Sequence, residues 1–408
     1  MRVFTVFFHP STKFTAFGGA EKRFIEILRV WLSKGIKVTV VDSQPGMLAK
    51  QLVNCEVLEL PSPLHSSGGK WLSIYFEWVL WIIKACLSCP SMIRREDYNV
   101  IVAPNNTLPN LLIAALLRFV SHKPLCVVVH HMDFPYVDAK ATFWYVYAGY
   151  RKVRYSRLQS SIKATAFFAM LTLLKHADVC IAVSNATARF LVENGVSQYK
   201  VHVSGNGVDT AYIASFKAGE KIYEGVFVGR IARDKGVFDL VESWKEVIKE
   251  RPIAQLVIIG SGPDSLELNL FIKKTGMEKN VLVKGRCSDR QMYLSMKTSK
   301  VFVLPSMFEG WGMAVAEALA CGLPAVCYDI PAIKEVFGRC KSVFLVPPGD
   351  VDKLTSTIIR VLQMDLNELA NISKTYVKNF DWNKIALKDL EIIQRAIGLI
   401  GSQMKKVD

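Results

Sequence analysis

With 408 residues, 51% of them hydrophobic and 21% charged, the chain can bury two separate cores and is too apolar to be disordered. Lys and Arg outnumber Asp and Glu by 51 to 36, giving a net charge of +15. That sign disfavours cationic partners and favours phosphorylated substrates, anionic lipid or nucleic acid.

The first predicted element is a strand, Val3–Phe8, followed by a Gly18-Gly19 turn and a helix over Ala20–Ser33. No small-residue cleavage site follows the N-terminal apolar run, so it reads as a strand rather than a signal peptide. Lys37–Val41 is the next strand. The stretch WLSIYFEWVLWIIKACLSC (71–89) approaches the length of a membrane span, but Glu77 and Lys84 lie inside it, so it reads as a core-facing or interfacial helix. Val100–Ala103, Leu125–Val129 and Val179–Val183 are buried-strand candidates, ending at Asn105-Asn106, His130-His131 and Ser184-Asn185. The last of these completes one doubly wound domain, whose ligands collect at the carboxyl ends of strands.

A second cycle starts after Asn206-Gly207-Val208-Asp209, with strands expected at Gly225–Gly229, Gln255–Ile259, Val281–Lys284, Val301–Leu304 and Ala325–Tyr328, and a helix at Val237–Glu250. The tail Trp382–Leu399 is helical. The nine cysteines sit mostly in apolar runs, which suits a reduced cytoplasmic protein. Cys86 and Cys89 form a lone C-x-x-C with no second pair, and read as packing residues rather than metal ligands.

Chemistry concentrates in the second cycle. In PSMFEGWGMAVAEALACGLPAV (305–326) a strand leads through Gly310 and Gly312 into a small-residue helix from Met313, closed by Gly322 and Pro324. Glu309 stands before that helix and Glu317 about a turn inside it, a pair suited to gripping sugar and ribose hydroxyls beside free helix amides. The plain alternative is two surface acids on a solvated helix. Arg230 and Lys235 in GRIARDKG (229–236) are two cations at a strand's carboxyl end, suited to a diphosphate. Gly260-Ser261-Gly262-Pro263 alone is a weak turn signal. In the first cycle Gly18-Gly19-Ala20-Glu21 is a close-approach loop at a helix start, and His130-His131-Met132-Asp133 places imidazoles where a cleft is expected.

Together these stretches resemble the family 4 glycosyltransferases, retaining enzymes of the GT-B fold. The matching pieces are GGAEK (18–22), VHH (129–131), VSNAT (183–187), NGVD (206–209), VGRIARDKG (228–236), IIGSGP (258–263), KGRCSD (284–289) and 305–326. The resemblance implies an α/β protein of two doubly wound Rossmann-like domains facing across a cleft. It implies an acceptor-binding domain over 1–208, a nucleotide-sugar-binding domain over 209–380, and a helix over 381–408 crossing back to the first.

It also implies that Arg230 and Lys235 hold the diphosphate of a UDP- or GDP-linked sugar, with the Gly19 amide helping, and that Gly262 lies in the donor site. Glu309 would contact the transferred sugar, backbone at Gly312, Met313 and Ala314 the sugar and phosphate, Glu317 the ribose, and Gly285 and Arg286 would lie beside the base. His130 is the better match to the family's cleft histidine, with His131 open. Neither metal nor cofactor is implied. Retention without an enzymic nucleophile implies front-face attack by the acceptor hydroxyl, the departing diphosphate taking the proton.

Between Lys140 and Lys175 seven basic residues and eight aromatics occur without an acid. With the apolar helix over 71–89, this composition suits an anionic membrane surface and a lipid-linked acceptor, placing the protein on the inner face of the membrane. The alternatives are a soluble sugar or protein acceptor, an inactive GT-B membrane partner, and a nucleic-acid binder. The last leaves the second-domain motifs unexplained.

Overall fold

The computed structural model describes residues 1–8, 18–44, 46, 48–63, 71–130, 141–152, 155–217 and 219–404. The chain divides into two compact units, one formed by Met1–Asn206 with Trp382–Asp408 and the other by Gly207–Asp381.

The first unit is built on seven parallel strands: β1 (Arg2–Phe7), β2 (Lys37–Asp42), β3 (Glu56–Glu59), β4 (Val100–Ala103), β5 (Leu125–Val129), β6 (Val179–Ala182) and β7 (Val201–Val203). Their order is β3-β2-β1-β4-β5-β6-β7. The central strands are buried along their whole length, as a parallel sheet covered on both faces requires. Register is fixed from Arg2 opposite Lys37 to Phe7 opposite Asp42. Strands β3 and β7, both less buried, extend the sheet at its edges beyond the strands expected from sequence. Their short, half-polar sequences carry no apolar run.

The helices of this unit are α1 (Gly19–Ser33), α2 (Trp71–Ile93), α3 (Leu108–Ser121), α4 (Phe143–Lys152), α5 (Arg157–His176) and α6 (Asn185–Glu193), joined from the end of the chain by a long helix, Trp382–Met404. That last helix packs along α1: Trp31 Nε1 donates to the Ala386 carbonyl at 2.9 Å. The guanidinium of Arg23 forks onto both carboxylate oxygens of Asp389 at 3.0 and 2.8 Å.

The second unit repeats the plan with β8 (Tyr223–Val228), β9 (Leu256–Ile259), β10 (Val281–Gly285), β11 (Ser299–Leu304), β12 (Ala325–Tyr328) and β13 (Val343–Val346), ordered β10-β9-β8-β11-β12-β13 and all parallel. Strand β13 is a further addition to the expected set. Its helices are α7 (Thr210–Ser215), α8 (Val237–Glu250), α9 (Ser265–Lys274), α10 (Asp289–Lys297), α11 (Met313–Ala320), α12 (Pro331–Phe337), α13 (Val351–Leu362) and α14 (Leu366–Val377), so the terminal helix is α15. In this sheet the order reverses between β8 and β11. The loops leaving those two strands therefore diverge around a crevice, the place where an open α/β sheet binds its ligand.

Candidate functional site

The loop after β8 turns through a 3-10 segment, Arg233–Lys235, and enters α8 through Gly236. The loop after β11 is tied to it: the Met307 amide donates to the Asp234 carbonyl at 2.8 Å. This approach explains Gly236, which sits at φ +66° and where an added Cβ would lie 1.8 Å from the Pro305 carbonyl oxygen. The loops after β9 and β10 join the same rim. Ile231 N donates to Ser261 O at 3.1 Å, Gly260 N to Gly285 O at 2.8 Å, and Arg286 Nε to Ser261 Oγ at 2.8 Å. The Gly262 amide is taken by Ser265 Oγ at 2.9 Å. Sequence-predicted residues from four separate loops thus come together on one end of one sheet.

Within the rim, Lys235 Nζ donates to Glu309 Oε1 at 2.8 Å and to the Phe308 carbonyl at 3.1 Å. Both side chains are mostly buried. Arg230 donates to Asp234 Oδ2 at 2.7 Å and keeps a side chain nearly half exposed. The two cations read from the sequence are therefore each paired with a carboxylate. Burial makes a counter-ion necessary for Lys235, whereas Arg230 is exposed enough to be solvated as well as paired.

Glu317 lies on α11 and is 8% exposed, with Tyr293 Oη donating to its Oε1 at 2.9 Å. Hence the two glutamates are held by different partners, Glu309 by a lysine from the β8 loop and Glu317 by a phenol from α10. The helix that carries Glu317 starts at Met313, and the first amides of a helix, here those of Met313 and Ala314, have no acceptor inside it. Gly312 has φ +98°, and a Cβ there would lie 2.5 Å from Ile333 Cδ1 and 3.0 Å from Phe337 Cε2. The missing side chain therefore makes room for α12 packing as well as for the turn.

In the first unit the polar strand ends form a buried network. Asn110 Oδ1 accepts from Phe8 N at 2.7 Å, and its amide donates to Asn105 Oδ1 at 2.8 Å. His130 is buried, with its amide on Asn106 Oδ1 and Nε2 3.2 Å from the Pro104 carbonyl. A carbonyl only accepts, so Nε2 is the donor of that contact. His131 lies outside the described residues. Gly19 begins α1 directly after Gly18, which occupies the N-cap.

Helix α2 is two-faced. Glu77, Trp81, Ala85, Cys89 and Ile93 face the core at four-residue spacing, and Trp81 Nε1 donates to the Leu60 carbonyl at 2.9 Å. Lys84 reaches the Pro61 carbonyl at 2.8 Å. On the other side Phe76, Val79, Ile83 and Leu87 form an exposed apolar stripe, Leu87 at 79% exposure. Among the described residues α2 is the one helix long and apolar enough to cross a membrane by length and composition. Burial pushes the Cys89 thiol up to about 12, which suits an inert core residue.

The basic-aromatic segment is less uniform than its composition suggests. Residues 140, 153 and 154 lie outside the described ones, Tyr150 and Phe167 are core residues, and Lys163 stands over the rings of Tyr150 and Tyr155. What remains at the surface is Trp144, at 74% exposure, with Phe143, Tyr145, Arg151, Lys152, Arg157 and Lys175.

Comparison with known proteins decides the family. A model described as glycosyl transferases group 1 matches residues 209–379, and one described as glycosyltransferase family 4 matches residues 17–212. The chain belongs to this group of glycosyltransferases. It is 26% identical over 322 residues to the MMP α-(1→4)-mannosyltransferase of Mycolicibacterium hassiacum, covering 76% of this chain and 73% of that one. It is also 28% identical over 225 residues to a phosphatidylinositol N-acetylglucosaminyltransferase chain of Arabidopsis thaliana, covering 54% and 50%. With several curated relatives, as with that one, the match spans about half of their length. Anabaena HepE, solved with UDP and glucose, superposes with a TM-score of 0.70 at 18% identity over 96% of this chain and 99% of that one. This likeness shows the two-domain GT-B fold.

For a glycosyltransferase of this fold, two residues of the site escaped the sequence reading. Asp234 lies inside the quoted motif, but its pairing with Arg230 is made by the fold of the loop after β8 and has no helical spacing to announce it. Tyr293 had no signal either, because it meets Glu317 only through tertiary packing. Among the described residues no group of three or more His, Cys, Asp or Glu is placed to hold a metal ion.

Proposed function

We propose that this glycosyltransferase is a retaining enzyme that moves a sugar from a UDP- or GDP-linked donor to a hydroxyl of a lipid-linked saccharide or glycolipid, working peripherally at the inner face of an anionic membrane. The observation that carries the donor half is the Lys235–Glu309 pair at the strand-order reversal of the second unit. A cation there fits the departing diphosphate, and a carboxylate beside it fits the sugar hydroxyls. Arg230 adds a second, more exposed cation, Glu317 fits the ribose, and Arg286 with Gly285 fits the base edge. For Gly19, Gly262 and His130 the assignment rests on the family resemblance.

In the proposed reaction the acceptor hydroxyl attacks the anomeric carbon from the face the diphosphate leaves. The new C–O bond forms as the bond to the β-phosphate oxygen breaks, and the hydroxyl proton passes to that phosphate. Lys235 and Arg230 supply the charge stabilisation, and no metal or cofactor is required of the site.

The acceptor half is supported by the exposed apolar stripe of α2, by the exposed Trp144, Arg151 and Lys152 of α4, and by similarity to a chain named as a phosphatidylinositol N-acetylglucosaminyltransferase subunit. Mass spectrometry of a panel of nucleotide sugars, incubated with the protein and liposomes containing anionic lipid, tests both halves. Hydrolysis or transfer from one donor and co-sedimentation with the liposomes are expected. Absence of binding to anionic liposomes sinks the membrane acceptor in favour of a soluble one.

A further inference from the structure

The sequence motifs account for the residues that face a donor, and leave unexplained what aims them. We propose that Tyr293 is a positioning residue for ribose recognition: its hydroxyl holds the Glu317 carboxylate in the orientation in which that carboxylate accepts the ribose hydroxyls. The inference rests on the donor-site reading above and adds to it a residue outside the family motifs quoted for this chain.

The geometry is specific. Tyr293 is 1% exposed and donates from Oη to Glu317 Oε1 at 2.9 Å. Its ring is stacked on Phe216, with centroids 5.9 Å apart and planes 27° apart, and meets Tyr212 edge-on at 6.1 Å. The phenol is therefore fixed before any ligand arrives. Burial and the Glu317 charge push its pKa far up, so the group stays protonated and acts as a donor. The last torsion of a glutamate is broad, and packing alone does not fix the plane of its carboxylate. A charge-assisted hydrogen bond does fix it. A phenylalanine would fill the same aromatic nest without the hydroxyl, and would avoid the cost of burying one. The hydroxyl is thus explained by what it does to Glu317.

The test uses the full-length protein and calorimetric titration of UDP, GDP and their 2′,3′-dideoxy analogues into wild type, Tyr293→Phe and Glu317→Ala. Wild type is expected to bind one ribonucleotide more tightly than its dideoxy analogue. Tyr293→Phe should bind that ribonucleotide about tenfold more weakly while binding the dideoxy analogue as wild type does. A purely structural tyrosine would weaken both nucleotides in parallel, and that result, or wild-type affinity for both, overturns the positioning role. If Glu317→Ala keeps full ribonucleotide affinity, or wild type binds neither nucleotide, the donor-site reading itself fails and the role of Tyr293 falls with it.

Discussion

Lys235 and Glu309 neutralise each other, Nζ to Oε1 at 2.8 Å, on loops that leave the two strands flanking the reversal in the second sheet. An ammonium has three donors, and Glu309 and the Phe308 carbonyl take two of them. A diphosphate arriving here must share the lysine with a carboxylate of its own sign of charge. In the proposed donor site the pair would hold the lysine in place and weaken its grip on the nucleotide.

That arrangement gives the two residues opposite signatures. Glu309→Gln removes a negative charge beside the phosphates, so UDP or GDP alone should bind several-fold tighter while sugar transfer falls. Lys235→Ala should weaken the nucleotide and lower turnover by about 10²-fold, as loss of one preorganised group stabilising a leaving charge does. Calorimetry of the nucleotide beside initial transfer rates separates the two. Equal loss of nucleotide affinity in both variants would show that Glu309 is no counter-ion to the phosphate site.

The second prediction concerns a charge pair buried far more deeply. Arg23 and Asp389 are 2% and 1% exposed, and Arg23 also donates to Ser204 Oγ at 2.9 Å. Removing one member strands the other without solvent. Asp389→Ala should cost about 3–5 kcal/mol in urea unfolding, whereas the double variant Arg23→Met, Asp389→Leu should recover most of that loss. A double variant as unstable as the single one would mean that the pair itself, rather than the stranded charge, carries the stability.

How much of this could be read from residues alone depends on where the information sits. The core strands were legible because β4, β9 and β12 are short apolar runs ending in polar or glycine residues. The edge strands β3 and β7 were not, since EVLE and VHV have no pattern of their own and pair only because a neighbour is already there, whereas β13 is the apolar run VFLV and is as legible as the core strands. At the site, Arg230, Lys235, Glu309 and Glu317 were visible as motif positions, but their partners are set by loop geometry. The basic-aromatic segment shows the converse: composition marked all of 140–175, while helical phase sends Tyr150 and Phe167 inward and leaves Trp144 outside.

A third prediction follows from Asp178, at the start of β6. Burial alone would push its carboxyl up, but the fork from Arg118, at 2.7 and 2.8 Å, and the Leu125 amide outweigh it and hold the carboxyl below the ordinary value. A depressed pKa means that the stabilisation is present above the unfolded value, about 3.9, and is lost as pH falls through the folded one. Asp178→Asn should therefore cost about 1 kcal/mol near pH 6, with the modest size set by the partly exposed Arg118. The gap between variant and wild type should close toward pH 3. Urea midpoints across that range check the sign, and a gap that widens on acidification would refute it.

The last prediction returns to a close backbone approach in the site. Gly236 combines a left-handed φ of +66° with a Cβ position 1.8 Å from the Pro305 oxygen. Alanine there has no conformation that relieves both conflicts, so the β8 and β11 loops must move apart, and the Met307-to-Asp234 hydrogen bond with them. Because Lys235 is the adjacent residue and Glu309 lies on the loop being displaced, Gly236→Ala should reduce nucleotide affinity and transfer as strongly as Lys235→Ala does, while lowering stability by about 2 kcal/mol. Gly276, whose φ is +71° with nothing within 4 Å of its Cβ position, provides the control. Gly276→Ala should carry the strain of its backbone, about 1 kcal/mol, and leave nucleotide binding unchanged. If the two variants lose stability equally and Gly236→Ala still binds nucleotide at wild-type affinity, the loop contact has no part in building the site.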